Sequence, residues 1–321
     1  MSNNLQVNPP LSPITDDDDI SEEQVFEVKY LIELYNINYN LDISYLIPSG
    51  CSHIIRYKCN KSGYRFYEPS SIVGDSAFYK KLQENDWYYM DNKWEFVEAI
   101  NHIPTLKNIS VLEIGSAKGA FLDILKRMTV DANLVGLELN QEAAAEARRR
   151  GLNVLTELSS DHARSNENAY DVIVSFQVLE HIPNPMDILR DALHMLKPGG
   201  RLMIGVPDNS QRAYPSIFVK ADSDLNMPPH HQGLWDIPSL AYLTKVLPLQ
   251  LEYIAVEPAT TSQQSNNYRW PMKNELIRRF GRVFGFCIYA LGRPFFNYAL
   301  KHVNKYLPAH SVLAVYRKLD A

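Results

Sequence analysis

The sequence predicts a doubly wound α/β fold, a mostly parallel sheet covered by helices on both faces, and three observations carry the prediction. Residues 111–121 run from a short apolar segment through Glu113 and two glycines into apolar residues at helical spacing, the pattern of a buried strand, a tight turn and a helix. Residues 133–140 repeat the strand and bring a second acid, Glu138, 23 positions beyond Gly115. Apolar runs of strand length then alternate with amphipathic helical stretches as far as residue 256. Ligands of such sheets bind at the carboxyl ends of the strands.

A chain of 321 residues can bury a full α/β core and still carry a smaller appended region. With 32 basic and 37 acidic residues the net charge is −5, which gives no general reason to expect a nucleic-acid partner. Cys51, Cys59 and Cys287 are too few for a disulfide framework, and the polar amino terminus lacks an apolar signal segment. The expectation is a reducing, cytoplasmic setting. No run reaches the roughly 20 apolar residues that would span a bilayer.

Residues 1–20, with Pro9, Pro10, Pro13 and the acidic run Asp16 to Asp19, offer little to bury and read as a disordered tail. Residues 21–104 read as an N-terminal cap. Within it, Val25, Val28, Leu31, Ile32 and Tyr35 predict a helix over 22–36, and alternation around a turn at 60–63 predicts a hairpin over 51–69. A structural zinc site needs four ligands in two close pairs, whereas this hairpin offers Cys51, Cys59 and His53, with Ser62 where a further cysteine would stand. No metal is expected. The aromatic residues of 75–103 fit two amphipathic helices, which either pack plainly on the sheet or roof the ligand turn.

Residues 105–321 form the main unit. Gly115 permits the reversal after the first core strand, and Gly119 lets the next helix approach closely. An alanine-rich helix over 142–150 ends at Gly151. Strands follow at 152–155 and 170–176, the latter running directly into Gln177-Val-Leu-Glu-His181. A helix over 186–196 stops at Lys197-Pro-Gly-Gly200, and strands at 201–206, 249–256 and 310–319 bracket a helix at 238–246. Between the last two strands lies an insertion over 259–309, read as helical.

In order and spacing, Glu113-Ile-Gly-Ser-Ala-Lys-Gly119, Glu138, the segment 171–181 and Lys197-Pro-Gly-Gly-Arg-Leu resemble the class I S-adenosylmethionine-dependent methyltransferases over about residues 107–257 plus a final strand. The resemblance implies a Rossmann-like, seven-stranded sheet with its last strand antiparallel, and S-adenosylmethionine as cofactor. It places the methionine end against Glu113, Gly115, Ser116, Ala117 and Gly119, and the ribose on Glu138 beside Leu139. The adenine falls to Val178 and Leu179, with Ser175 and Gln177 nearby. Ala117 stands where the family has a glycine, so its methyl group crowds the approach of the methionine moiety.

An alcohol acceptor would need a base, because its oxygen must lose a proton on methylation. His181 either shapes the pocket or serves in that role. His230 and His231, adjacent in the loop Pro228-Pro-His-His-Gln-Gly-Leu-Trp235, are the stronger choice for a ring titrating near neutrality. Similar sequences with this loop suggest a hydroxyl of a glycan or specialised metabolite. Three other readings stay open: an amine acceptor, a nicotinamide-dependent oxidoreductase or epimerase, and a non-catalytic partner module. Residues 272–306 combine basic residues with an apolar stretch, as a membrane-surface contact, a lid or a dimer contact would. The oligomeric state is left open.

Overall fold

The computed structural model describes residues 10–84, 91–210, 224–259, 270–303 and 308–320. Among the described residues the chain forms β1 (Ile20–Glu27), α1 (Val28–Tyr39), β2 (His53–Cys59), β3 (Arg65–Glu68), α2 (Ser76–Leu82) and α3 (Trp94–Asn101) ahead of the main sheet. The main unit follows as β4 (Ser110–Ile114), α4 (Ala120–Met128), β5 (Asn133–Leu137), α5 (Gln141–Arg149), β6 (Val154–Leu155), α6 (Ser159–Ala163), β7 (Tyr170–Phe176), α7 (Pro185–Met195) and β8 (Leu196–Pro207). It closes with β9 (Gly233–Leu234), α8 (Ile237–Val246), β10 (Leu249–Pro258), α9 (Trp270–Phe280), α10 (Arg282–Val303) and β11 (Pro308–Lys318).

The seven-stranded sheet has the order β10-β11-β8-β7-β4-β5-β6. Its strands run parallel except β11, which pairs antiparallel with both β8 and β10. This is the Rossmann-like architecture expected from the alternating pattern. The sheet is apolar on both faces, as parallel strands under helices must be. Leu112, Ile114, Ile173, Ile204 and Ala314 face one core with Leu189 and Leu240, while Val111, Val172, Val174, Met203 and Leu313 face another with Phe96 and Phe121.

The cap differs from the sequence reading. Residues 20–27 are a strand rather than the start of a helix, and β1-β2-β3-β9 form an antiparallel sheet of four strands. The hydrophobic spacing that suggested one helix over 22–36 belongs to two elements. Phe26 is buried from the strand, Val28, Leu31 and Tyr35 from the helix, and Val25 is exposed.

The tail expectation also fails from residue 10 onward. Ile14 is 3% exposed and packs in the main core with Tyr64 and Trp235, and Asp17 pairs with Lys61. Ile14 in the core, the buried Ser12 and the Asp17–Lys61 pair together fix a segment that composition alone marks as unstructured. The rest of that expectation, residues 1–9, lies outside the described residues. Cys51 and Cys59 flank and end the seven-residue β2, so they stand at its opposite ends.

Candidate active site

The turn after β4 is built on two glycines at φ +77°, Gly115 and Gly119. A Cβ on Gly115 would lie 2.3 Å from Val178 Cγ2, and one on Gly119 would lie 2.4 Å from Leu152 Cδ1. Absence of a side chain therefore lets the turn close against the end of β7 and against the segment after α5. The N–H groups of Gly115 and Ser116 both donate to Leu137 O, at 2.8 and 2.9 Å, tying the turn to the end of β5.

Ala117 adopts φ +48°, and its N–H donates to Glu138 Oε2 at 2.8 Å. The family-pattern departure at this position thus occupies the left-handed conformation a glycine would take, with its amide committed to the acid across the cleft. Glu138 Oε1 accepts from Asn140 N at 2.7 Å. A carboxylate offers about four lone-pair sites, so acceptor capacity remains for a vicinal diol. Burial raises the pKa of Glu138, against the backbone N–H groups of Asn140 and Ala117, which lower it.

Glu113 is 3% exposed, and its Oε2 has no hydrogen-bond partner. Burial pushes its carboxyl well above the ordinary range, opposed by the positive charge of Lys93 and helped by Glu138. Such an oxygen calls for a donor, best a cationic one. Ser116 Oγ and Ser175 Oγ are likewise buried without a partner. The acid, the diol acceptor and the glycine turn therefore fit the ammonium, ribose and backbone-hugging tail of S-adenosylmethionine.

All of this opens on a cavity of about 1720 Å³. Glu113, Gly115, Ser116, Ala117, Glu138 and Leu139 line it, as do Gln177 and Val178. Three residues assigned to the cofactor from the sequence do not reach its wall. Gly119 packs on Leu152, Ser175 is enclosed within β7, and Leu179 is fully buried in the main core. The Gln177 amide donates to Glu95 Oε1 at 3.2 Å and Ser311 Oγ at 3.4 Å, which engages it with the cap and with β11. The sequence reading passed over Glu157, Leu158 and Ser159, which line the cavity just after β6. The rule that ligands sit at strand carboxyl ends was signal enough to find them.

On the acceptor side, His181, His230 and His231 come together although His181 is 49 residues from the loop pair. Ring centroids of the three pairs lie 4.4–4.9 Å apart. The loop is held by the cap and by the segment after β7: Tyr67 Oη donates to Asn226 O at 2.8 Å, Gly74 N to Pro229 O at 3.0 Å, and Gln232 N to Glu180 O at 2.7 Å. Burial pushes His230 down to about 3 and His181 to about 4, and His231 falls well below the usual range. The expectation of a ring titrating near neutrality is thereby corrected. Enclosure keeps all three neutral and makes them weak bases. Next to them Glu180, 1% exposed, is pushed up to about 8 by burial.

The family model described as a methyltransferase domain matches residues 87–247, half of the chain. A ubiquinone biosynthesis O-methyltransferase of Aliivibrio fischeri (strain MJ11) is 26% identical over 172 residues, covering 48% of this chain and 73% of that protein. The protein so named from Serratia proteamaculans (strain 568) is 31% identical over 133 residues, 40% of this chain and 54% of its own length. Among solved structures, a SAM dependent methyltransferase from Archaeoglobus fulgidus covers 75% of this chain and 100% of that one, with a TM-score of 0.47 and 14% identity.

Proposed function

Since the chain belongs to the methyltransferase-domain family, and is an S-adenosylmethionine-dependent methyltransferase, we propose that it methylates a hydroxyl oxygen of a small-molecule metabolite or sugar. The observation that carries this reading is a single cavity lined by Glu113 and Glu138 together with the three neutral imidazoles. O-methylation is supported by the two relatives named above, which are O-methyltransferases by name.

When bound, the cofactor supplies a carbon already activated for in-line displacement by its sulfonium. Glu138 accepts the ribose hydroxyls through the lone pairs its backbone donors leave. Glu113 receives the ammonium group, Gly115 leaves room at the turn, and Val178 and Leu139 offer apolar faces to the adenine. Charge-assisted hydrogen bonds of this kind are worth roughly 1.5–3 kcal/mol each.

The imidazole wall addresses the acceptor. An oxygen that is gaining a methyl group becomes an oxonium, far more acidic than an imidazolium even of low pKa. A weak, neutral ring therefore suffices to take the proton as the new bond forms. Mass spectrometry of metabolite extracts supplied with labelled cofactor tests the reading. A gain of one methyl group on a hydroxylated compound supports it, and methylation of amines alone would overturn it.

We further propose that α10 rests on an anionic membrane surface. No helix among the described residues is long and apolar enough to cross a membrane. Val283, Phe284, Leu291 and Phe295 are nevertheless 72–85% exposed, beside the exposed cations Arg279, Arg282 and Arg293. An exposed apolar stripe with basic flanks matches the acyl boundary below acidic headgroups.

A further inference from the structure

We propose that His181, His230 and His231 form a binding site for one divalent transition-metal ion of the zinc class. One ring nitrogen from each lies within 4.8 Å of the other two. Each Nδ1 is engaged with an oxygen: His181 with His230 O at 2.7 Å, His230 with Leu225 O at 3.0 Å, and His231 with Asn226 Oδ1 at 3.0 Å. Because a carbonyl oxygen only accepts, these contacts put the proton on Nδ1 and the lone pair on Nε2. A ring fixed by an Nδ1 hydrogen bond to oxygen, with Nε2 as the ligating atom, is how metal-binding histidines are held.

Donor chemistry selects the ion. Three imidazoles suit Zn²⁺, Co²⁺ or Fe²⁺, whereas Mg²⁺ and Ca²⁺ take oxygen ligands. Tetrahedral coordination at about 2.0–2.1 Å needs nitrogens about 3.3 Å apart, so the rings close modestly on the ion. The loop that carries His230 and His231 is held by the hydrogen bonds of Tyr67, Gly74 and Gln232. Glu180 stands beside the site. Its Oε1 is 3.8 Å from His181 Nε2, and its buried Oε2 has no hydrogen-bond partner.

Three protein nitrogens leave a coordination position, as catalytic zinc sites do. The cavity lies alongside. An acceptor hydroxyl entering that position would lose its proton to solvent water, with the O–H electron pair staying on oxygen. The cluster would then contribute acidification of the hydroxyl, in place of proton acceptance by a ring. This role rests on the proposed methyl transfer to oxygen; occupancy of the site does not.

The test is a Co²⁺ titration of chelator-treated full-length protein, read by visible d–d absorption and by competition with Zn²⁺ and Mg²⁺. One equivalent should bind, Zn²⁺ should displace it, and Mg²⁺ should not. His230→Ala and His231→Ala should each weaken uptake by more than about tenfold, while S-adenosylhomocysteine affinity, measured on the same samples as a check of folding, stays unchanged. Absence of stoichiometric uptake by the unmodified protein, or uptake unaltered in both variants, overturns the site. Co²⁺ uptake without any cofactor binding would uphold the site and remove the methyltransferase reading instead.

Discussion

The Ala117 amide donates to the Glu138 carboxylate across 2.8 Å, so the acid at the end of the second core strand is locked to the turn that follows the first. Two segments 21 residues apart in sequence thereby form one rigid corner, and the remaining lone pairs of Glu138 are held in a fixed direction. Pre-organisation of this kind lowers the cost of binding.

At Gly115, backbone conformation and space act together. Gly115→Ala places a Cβ against Val178 at φ +77°, which should cost about 1–3 kcal/mol and lower the melting temperature by a few degrees. Val178→Ala in the same chain should restore part of the loss by removing the opposing methyl groups, though not the backbone strain. Differential scanning calorimetry of the single and double variants measures both, and additive losses would show that the Val178 contact is not the cause.

Glu113 predicts a proton linkage. Its carboxyl is held above the ordinary value of 4.5 because burial disfavours the charged form. Its neutral form is thus retained in the folded chain at pH values where the unfolded chain has ionised. Stability of the cofactor-free protein should fall as pH rises from 4.5 toward the raised value, and Glu113→Gln should flatten that fall. An arriving ammonium ionises the group, so binding of S-adenosylhomocysteine in that window should release a proton. Calorimetry in two buffers of different ionisation enthalpy reads the release; identical heats would refute it.

The chemistry of the sheet was legible in sequence because it is local. The strand, turn and helix at 110–128, the acid after the second strand and the alternation through residue 258 all depend on near neighbours. The cap was not, because β9 reaches β3 across more than 150 residues and its two-residue strand has no pattern of its own. The histidine cluster was half legible. Each ring was singled out, but their meeting, and the loss of basicity that follows from enclosing three imidazoles together, depend on the loop being carried onto the end of β7 by Tyr67, Gly74 and Gln232. The bond from Gln177 to Glu95 was not legible, because Glu95 belongs to a cap helix that sequence spacing could not orient.

His230→Ala and His231→Ala should each lower turnover by roughly 10²–10⁴-fold while leaving the affinity for S-adenosylhomocysteine within about twofold, the signature of a group acting on the acceptor. Steady-state kinetics beside calorimetry separates the two quantities. Full turnover in both variants would take the loop out of the mechanism.

For the membrane contact, co-sedimentation with vesicles containing phosphatidylserine should exceed that with phosphatidylcholine alone and decline with salt. Replacing Phe284, Leu291 and Phe295 with serine should abolish it without altering cofactor affinity, since these side chains are exposed and distant in sequence from the turn. Sedimentation indifferent to lipid charge would contradict the assignment.

Isothermal titration of S-adenosylhomocysteine into the intact chain and into Glu138→Ala is the most direct test. The unmodified protein should bind one equivalent, and the variant, still folded, should lose about 3 kcal/mol, roughly a hundredfold in Kd, for two forfeited hydrogen bonds. No heat from the unmodified protein, or equal affinity in the variant, would contradict the account.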